Sequence, residues 1–254
     1  PTVQDLARAK PAAVLAAWSG LGYYRRARAL HEAARQVARS ARFPRSSEEW
    51  RRLPGVGRYT AAAVASIAFG EPCAVVDGNV ERVYARMFGT TGENAWELAS
   101  QLLSPTRPGD FNQAMMEVGA TVCLPRAPVC HACPAAGDCN GRGQIARPSP
   151  QPRVKREIGF ELWHRGNAVR LVKRPASSSL MANMWELPAV AVNAAKPPLI
   201  QVRHSITNTD YRVFVYDANG RKRTTSGRWV SARRMTQLPM TGLTLKILRR
   251  LDII

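Results

Sequence analysis

Apolar residues fall at helical spacing over the first half of the chain and in short alternating runs over the second. The 3.6-residue period and the Ala- and Leu-rich segments predict helices over 11–18, 25–39, 48–53, 60–69, 80–87, 93–103 and 110–122, separated by Gly and Pro. Ser46 and Ser47, just ahead of Glu48 and Glu49, offer N-cap chemistry for the third of these. Residues 141–153 have no apolar period and contain three prolines, Pro148, Pro150 and Pro152, which marks a linker. Beyond it, strands are predicted over 158–163, 168–173, 199–206 and 211–216, with a closing helix over 243–251. The expected organisation is therefore multidomain: an all-α domain over 1–140, a linker over 141–155 and an α+β domain over 156–254.

Composition narrows the class. With 45% apolar and 22% charged residues, 254 residues can bury a core, so a disordered basic tail is excluded. A formal charge of +19, from 37 basic and 18 acidic residues, makes a polyanion the leading partner, because neutralised phosphates release counterions. The charge is uneven: 18 basic and 12 acidic residues precede position 148, against 19 and 6 after it. Of the basic residues 31 are Arg and 6 are Lys, which suits bidentate contacts to phosphate or guanine, although a compositional bias of the genome gives the same preference. No run approaches the roughly 20 apolar residues of a membrane span, and the first residues have no signal pattern, so no membrane partner and a cytoplasmic location are expected.

Three local patterns carry chemistry. Cys123, Cys130, Cys133 and Cys139 lie within 17 residues with the spacing C-x6-C-x2-C-x5-C. Four thiolates in one loop meet the ligand count of a [4Fe–4S] cluster or a zinc site; only Cys130 and Cys133 form the C-x2-C pair typical of zinc, so the spacing favours iron–sulfur. His131 is expected on the surface, and the distant Cys73 as a small core residue. Second, Pro54-Gly55-Val56-Gly57-Arg58 joins two helical runs, where glycines let the backbone approach another molecule and the N–H groups opening the next helix favour an anion. Arg51, Arg52 and Arg58 around that turn favour a phosphate clamp over an ordinary helix corner. Third, Asp77-Gly78-Asn79 follows 18 positions after Tyr59. Alone it reads as a turn whose Asp or Asn caps the next helix. After a DNA-gripping hairpin, the same carboxylate is placed to stabilise an oxocarbenium-like sugar as a base departs.

The hairpin, the Val-Asp-Gly-Asn-Val segment and the cysteine loop together resemble the helix–hairpin–helix DNA glycosylases that carry an iron–sulfur cluster. Within them, Gly-Leu-Gly-Tyr-Tyr-Arg-Arg-Ala-Arg-Ala-Leu-His at 20–31 and Gly-Asp-Phe-Asn-Gln-Ala-Met-Met-Glu-Val-Gly-Ala-Thr-Val-Cys at 109–123 resemble the adenine DNA glycosylases, the MutY family. The resemblance covers nearly the whole chain. It implies a monomeric base-excision-repair enzyme with an all-helical catalytic domain, a [4Fe–4S] cluster and a NUDIX-like second domain, acting on double-stranded DNA in bacterial cytoplasm to remove adenine mispaired with 8-oxoguanine or guanine. By the same carry-over, Asp77 stabilises or transiently adds to the sugar cation, while Tyr59 and Asn79 hold the pocket and its water. Pro54, Gly55, Val56, Gly57 and Arg58 grip the backbone, Tyr23 is the wedge beside the oxidised guanine, and Tyr24 is a core residue. Endonuclease III, a related bifunctional enzyme, places a Schiff-base lysine directly after Gly-Val-Gly-Arg; here that residue is Tyr59, whose phenol cannot form an imine, so a monofunctional glycosylase is expected.

Two departures qualify the expectation. Where the family usually has Phe-Ser-His, this chain has Ile206-Thr207-Asn208; Thr207 keeps a hydroxyl able to bond the oxidised base, but the aromatic and the imidazole are gone. The second domain has only the glutamates Glu157, Glu161 and Glu186 and no Arg-Glu-x-x-Glu-Glu series, so NUDIX hydrolysis is not expected of it and its positive charge reads as a DNA-clamping face. The segment that in relatives resembles Trp-Val-Ser-Glu-Ile-Met-Leu-Gln-Gln-Thr, with the general-acid glutamate, lies outside residues 1–254. The chain is therefore expected to begin inside its first domain and to excise adenine poorly. The alternative class is a non-catalytic DNA-binding or redox-sensing iron–sulfur protein.

Overall fold

The computed structural model describes residues 2–142, 152–219 and 227–254. Most of the expected linker, residues 143–151, lies outside the described residues. Two compact units emerge, one of residues Glu32–Ser149 and the other of Pro1–His31 together with Pro150–Ile254. The division thus differs from the expected edge at 140, because the first helices pack on residues of the sheet-containing part. Helices α1 (Val3–Arg8), α2 (Pro11–Ala17) and the start of α3 (Tyr24–Arg39) bring Leu15, Tyr24 and Ala27 into one apolar cluster with Met184, flanked by Trp18 and Met181. Arg28 Nη2 adds a 2.5 Å hydrogen bond to the Ala182 carbonyl. Tyr24 is 6% exposed, as its reading as a core residue requires.

In the Glu32–Ser149 unit, α4 (Ser47–Arg51) opens with a capping box in which Ser46 accepts from the Glu49 N–H and Glu49 accepts from the Ser46 N–H. α5 (Arg58–Phe69), α6 (Gly78–Phe88), α7 (Glu93–Leu102) and α8 (Pro108–Glu117) follow. The α5 seam is built from Ala61, Ala62, Ala65 and Ser66, all buried, and small residues there let α8 come close. A Cβ on Gly109 would sit 2.7 Å from the Ser66 carbonyl oxygen, so the crossing tolerates only glycine. The last turn of α8 widens into a π-helical turn, Val118–Val122, which leads into Cys123.

The other unit carries two sheets. One has the order β5 (Ala189–Val190), β1 (Val154–Leu162), β7 (Thr209–Asp217), β6 (Ile200–Ile206), with β1 parallel to β7 and β6 antiparallel to it. The second runs β2 (His164–Arg165), β3 (Ala168–Lys173), β4 (Trp185–Glu186), with β8 (Arg228–Ser231) also on β3. A short α9 (Ala232–Met235) precedes α10 (Gly242–Arg250), whose Leu243, Ile247 and Leu248 join Val202, Val213 and Val215 in the main core. Among the described residues no helix is long and apolar enough to cross a membrane.

Candidate active site

The hairpin between α4 and α5 holds Gly55 at φ +73°, a left-handed conformation that glycine adopts without the Cβ penalty. Val56 N–H bonds back to the Leu53 carbonyl at 3.2 Å, and Gly57 caps α5 without any side-chain cap bond. The first-turn N–H groups at Arg58, Tyr59 and Thr60 are thus presented outward, the arrangement that receives a phosphate. Pro54 and Val56 are half-buried and brace the turn. Arg58 is less free than its sequence position suggested: it pairs with Glu93 at 2.7 Å and its guanidinium lies 4.0 Å from the Trp96 ring centroid.

Asp77 is the N-cap of α6, half-buried, and both of its carboxylate oxygens are engaged. Oδ1 accepts from the backbone N–H of Asn79 at 2.9 Å and of Val80 at 2.8 Å, and Oδ2 accepts from Asn79 Nδ2 at 3.1 Å. The cap and the candidate catalytic role are therefore not alternatives: capping fixes the carboxylate in one orientation. Asn79 Oδ1 in turn accepts from Arg82 Nη2 at 2.8 Å, and Arg82 reaches the carbonyls of Gly119, at 2.6 Å, and Cys123, at 2.9 Å. A continuous polar line connects Asp77 to the first cysteine. Gly119 on the π-helical turn permits this approach, since a Cβ there would lie 2.6 Å from Asn79 Cβ.

The segment delivering Asp77 is stapled from α8. Asn112, 2% exposed, accepts from Val75 N–H at 3.1 Å and donates to the Cys73 carbonyl and to Ser66 Oγ, both at 2.9 Å. Tyr59 is exposed and its hydroxyl points to Met116 Sδ at 3.5 Å. Met116 packs on the cluster containing Val76 and Val80, the neighbours of Asp77. Cys73 is half-buried against α5, and burial raises its thiol pKa to about 11, which keeps it inert.

Cys123, Cys130, Cys133 and Cys139 all border one apolar cavity, shared with Val83 and Val122. His131 is exposed. Arg86, 7% exposed, donates to Cys123 Sγ at 3.1 Å and to the carbonyls of Leu124 and Pro125 at 2.9 and 3.0 Å. Arg82, Arg86 and Asn112 were missed in the sequence. The only signal was the Arg-x-x-x-Arg spacing that puts both guanidiniums on the face of α6 begun by Asp77.

Two candidate DNA contacts belong to the sheet-containing unit. Tyr23 is 75% exposed at φ +47°, held between Gly22 at φ +70° and buried Tyr24. Thr207 sits at the β6–β7 tip with φ +50°, its hydroxyl donating to the Ile206 carbonyl at 2.7 Å. Non-glycine residues rarely occupy this region, and a β-branched one least of all.

Residues 1–108 match the profile of the HhH-GPD superfamily base excision DNA repair proteins. The adenine DNA glycosylase of Mycolicibacterium smegmatis is 39% identical over 202 residues, covering 73% of this chain and 67% of that protein. The chain belongs to the adenine DNA glycosylase family. The family's Rattus norvegicus member is 48% identical over 252 residues, 76% of this chain. The chain spans half or less of the human, rat and mouse relatives, 29%, 49% and 50% of their lengths. Among solved structures, a thermostable thymine-DNA glycosylase is 34% identical with a TM-score of 0.51, covering 55% of this chain and 69% of that one. The fold is that of a helix–hairpin–helix glycosylase with a sheet-containing C-terminal region.

Proposed function

We propose that the chain acts in base excision repair as a monofunctional adenine DNA glycosylase, removing adenine opposite 8-oxoguanine from duplex DNA. The observation that carries this reading is Asp77, a half-buried carboxylate fixed by three hydrogen bonds at the head of α6, in a unit that also presents an uncapped hairpin helix. As the N-glycosidic bond lengthens, positive charge grows on the sugar, and a carboxylate that does not have to reorient stabilises it. Asn79 holds that orientation, Tyr59 borders the site without an amine to attack the sugar, and water completes the hydrolysis. The hairpin backbone from Pro54 to Arg58 anchors a phosphate, Arg58 exchanging Glu93 for it at small cost, since exposed ion pairs contribute only about 0.2–1 kcal/mol. Tyr23 and Thr207 are read as the lesion-side contacts, the latter from a NUDIX-like unit.

The cysteine loop fits a [4Fe–4S] cluster. Its four cysteines border one cavity, while among the described residues no three His, Cys, Asp or Glu side chains converge as a single ion requires. A cluster has its irons at separate corners, so its ligands need not meet at a point. Arg86 is a buried cation with an unpartnered Nε and no carboxylate beside it among the described residues, and the charge of bound thiolates answers it. Cys123, Cys130, Cys133 and Cys139 would hold the cluster, which supplies a rigid, redox-capable tether for the loop.

The test is duplex binding together with single-turnover excision. A preference of about tenfold or more for adenine:8-oxoguanine over adenine:thymine duplex, with Asp77→Asn losing residual adenine release but not binding, supports the reading. Equal affinity for both duplexes, or a stoichiometric borohydride-trapped adduct during turnover, would overturn it.

A further inference from the structure

We infer that Arg86 is a positioning residue for the cluster: it holds both ends of the cysteine loop and sets the stability and potential of the metal group bound there. The inference rests on the [4Fe–4S] reading given above. Arg86 reaches the first cysteine through its side chain, with Nη1 3.1 Å from Cys123 Sγ, and the last through its main chain. The Arg86 carbonyl accepts from Gly141 N–H at 2.7 Å and lies 3.8 Å from Cys139 Sγ. Gly141 has no space for a side chain, because a Cβ would stand 2.5 Å from that carbonyl oxygen. One residue on the last turn of α6 therefore clamps the two ligands that are farthest apart in sequence.

Charge makes the clamp more than a spacer. A guanidinium taken out of water is costly unless an anion or a full set of hydrogen bonds receives it. Arg86 has carbonyls on both Nη atoms, an unpartnered Nε and, among the described residues, no carboxylate. Neutral thiols would leave it uncompensated, whereas metal-bound thiolates supply the missing negative charge. A hydrogen bond from a cation to a ligating sulfur stabilises the more reduced, more negative state and raises the reduction potential.

The experiment compares the wild-type chain with Arg86→Met and Arg86→Lys, reconstituted with iron and sulfide without air. Iron and sulfide per chain, the rate of bleaching by ferricyanide and the midpoint potential are measured. Losing a residue that supports metal ligands typically weakens metal binding about 10–100-fold. Bleaching of Arg86→Met is thus expected to be at least about tenfold faster, with a lower midpoint, and Arg86→Lys, which keeps the charge but not the fork, to fall between. A merely structural role would not move the midpoint or grade it with charge. A loaded wild type with an Arg86→Met variant matching its bleaching rate and midpoint overturns the inference and leaves the cluster reading standing. A wild type that takes up no iron and sulfide overturns the cluster reading, and Arg86 with it. If Arg86→Met does not fold, Arg86→Lys decides: wild-type bleaching and midpoint count against the inference, and intermediate values support it.

Discussion

Replacing Asn112 by Ala is expected to loosen the segment that carries Asp77 without touching the site itself. Asn112 is 2% exposed and spans three partners, the Val75 N–H, the Cys73 carbonyl and Ser66 Oγ. Alanine supplies none of these bonds. The Ser66 hydroxyl keeps the bond it already donates to the Ala63 carbonyl at 3.4 Å, but Val75 N–H is buried and loses its acceptor, and Cys73 C=O loses a donor. Each orphaned buried group costs about 1–3 kcal/mol, so the two together cost roughly 3 kcal/mol. That is a large part of the 5–15 kcal/mol of a typical domain. Because two compact units blur any global unfolding curve, the local readout is preferable: hydrogen exchange at the Val75 amide. At about 1.4 kcal/mol per factor of ten, exchange there should quicken by about a hundredfold. Exchange within threefold of wild type would refute the reasoning, since it would mean that water or relaxation replaces all three bonds.

Three further outcomes follow from the geometry. Tyr23→Gly should relieve about 1–2 kcal/mol of left-handed strain and yet weaken binding to adenine:8-oxoguanine duplex by about tenfold through lost stacking; a variant that is no more stable and binds as tightly contradicts the wedge reading. Gly119→Ala drives a Cβ into Asn79, which should cost about 1–3 kcal/mol and disturb the Asp77–Asn79 bond, seen as a lower melting temperature together with lost residual excision. His204 has its pKa lowered first by burial and then by the Lys246 cation, so its stabilising contribution is present above the ordinary histidine range and is lost as pH falls through its depressed value. Lys246→Met should raise the ring's titration midpoint followed by NMR; an unmoved midpoint removes Lys246 as a cause.

Much of this architecture was legible in the chain. The periodic runs located α2 to α8 within a few residues, because apolar spacing along one helix is readable whatever that helix packs against. The cap at Ser46, the hairpin and the cysteine loop were readable for the same reason: local chemistry decides them. What escaped is non-local. Asn112 acts across 37 positions on Val75, and Arg86 across 37 on Cys123; nothing in the spacing of a lone Asn or Arg announces such a partner. The two-residue strands β4 and β5 are shorter than any periodicity can register. Assignment of the first 31 residues rests on Met184 and the Ala182 carbonyl, more than 150 positions away from Arg28.

If Tyr23 and Thr207 are the DNA contacts proposed above, their left-handed backbones set fitness for folding against fitness for DNA at two identifiable codons. Glycine or asparagine would satisfy either backbone with less strain. A library of this chain sorted for thermal endurance alone should therefore drift to those residues at both positions. One sorted on lesion-bearing duplex should keep the tyrosine and the threonine, turning local strain into a selectable record of which loops meet DNA.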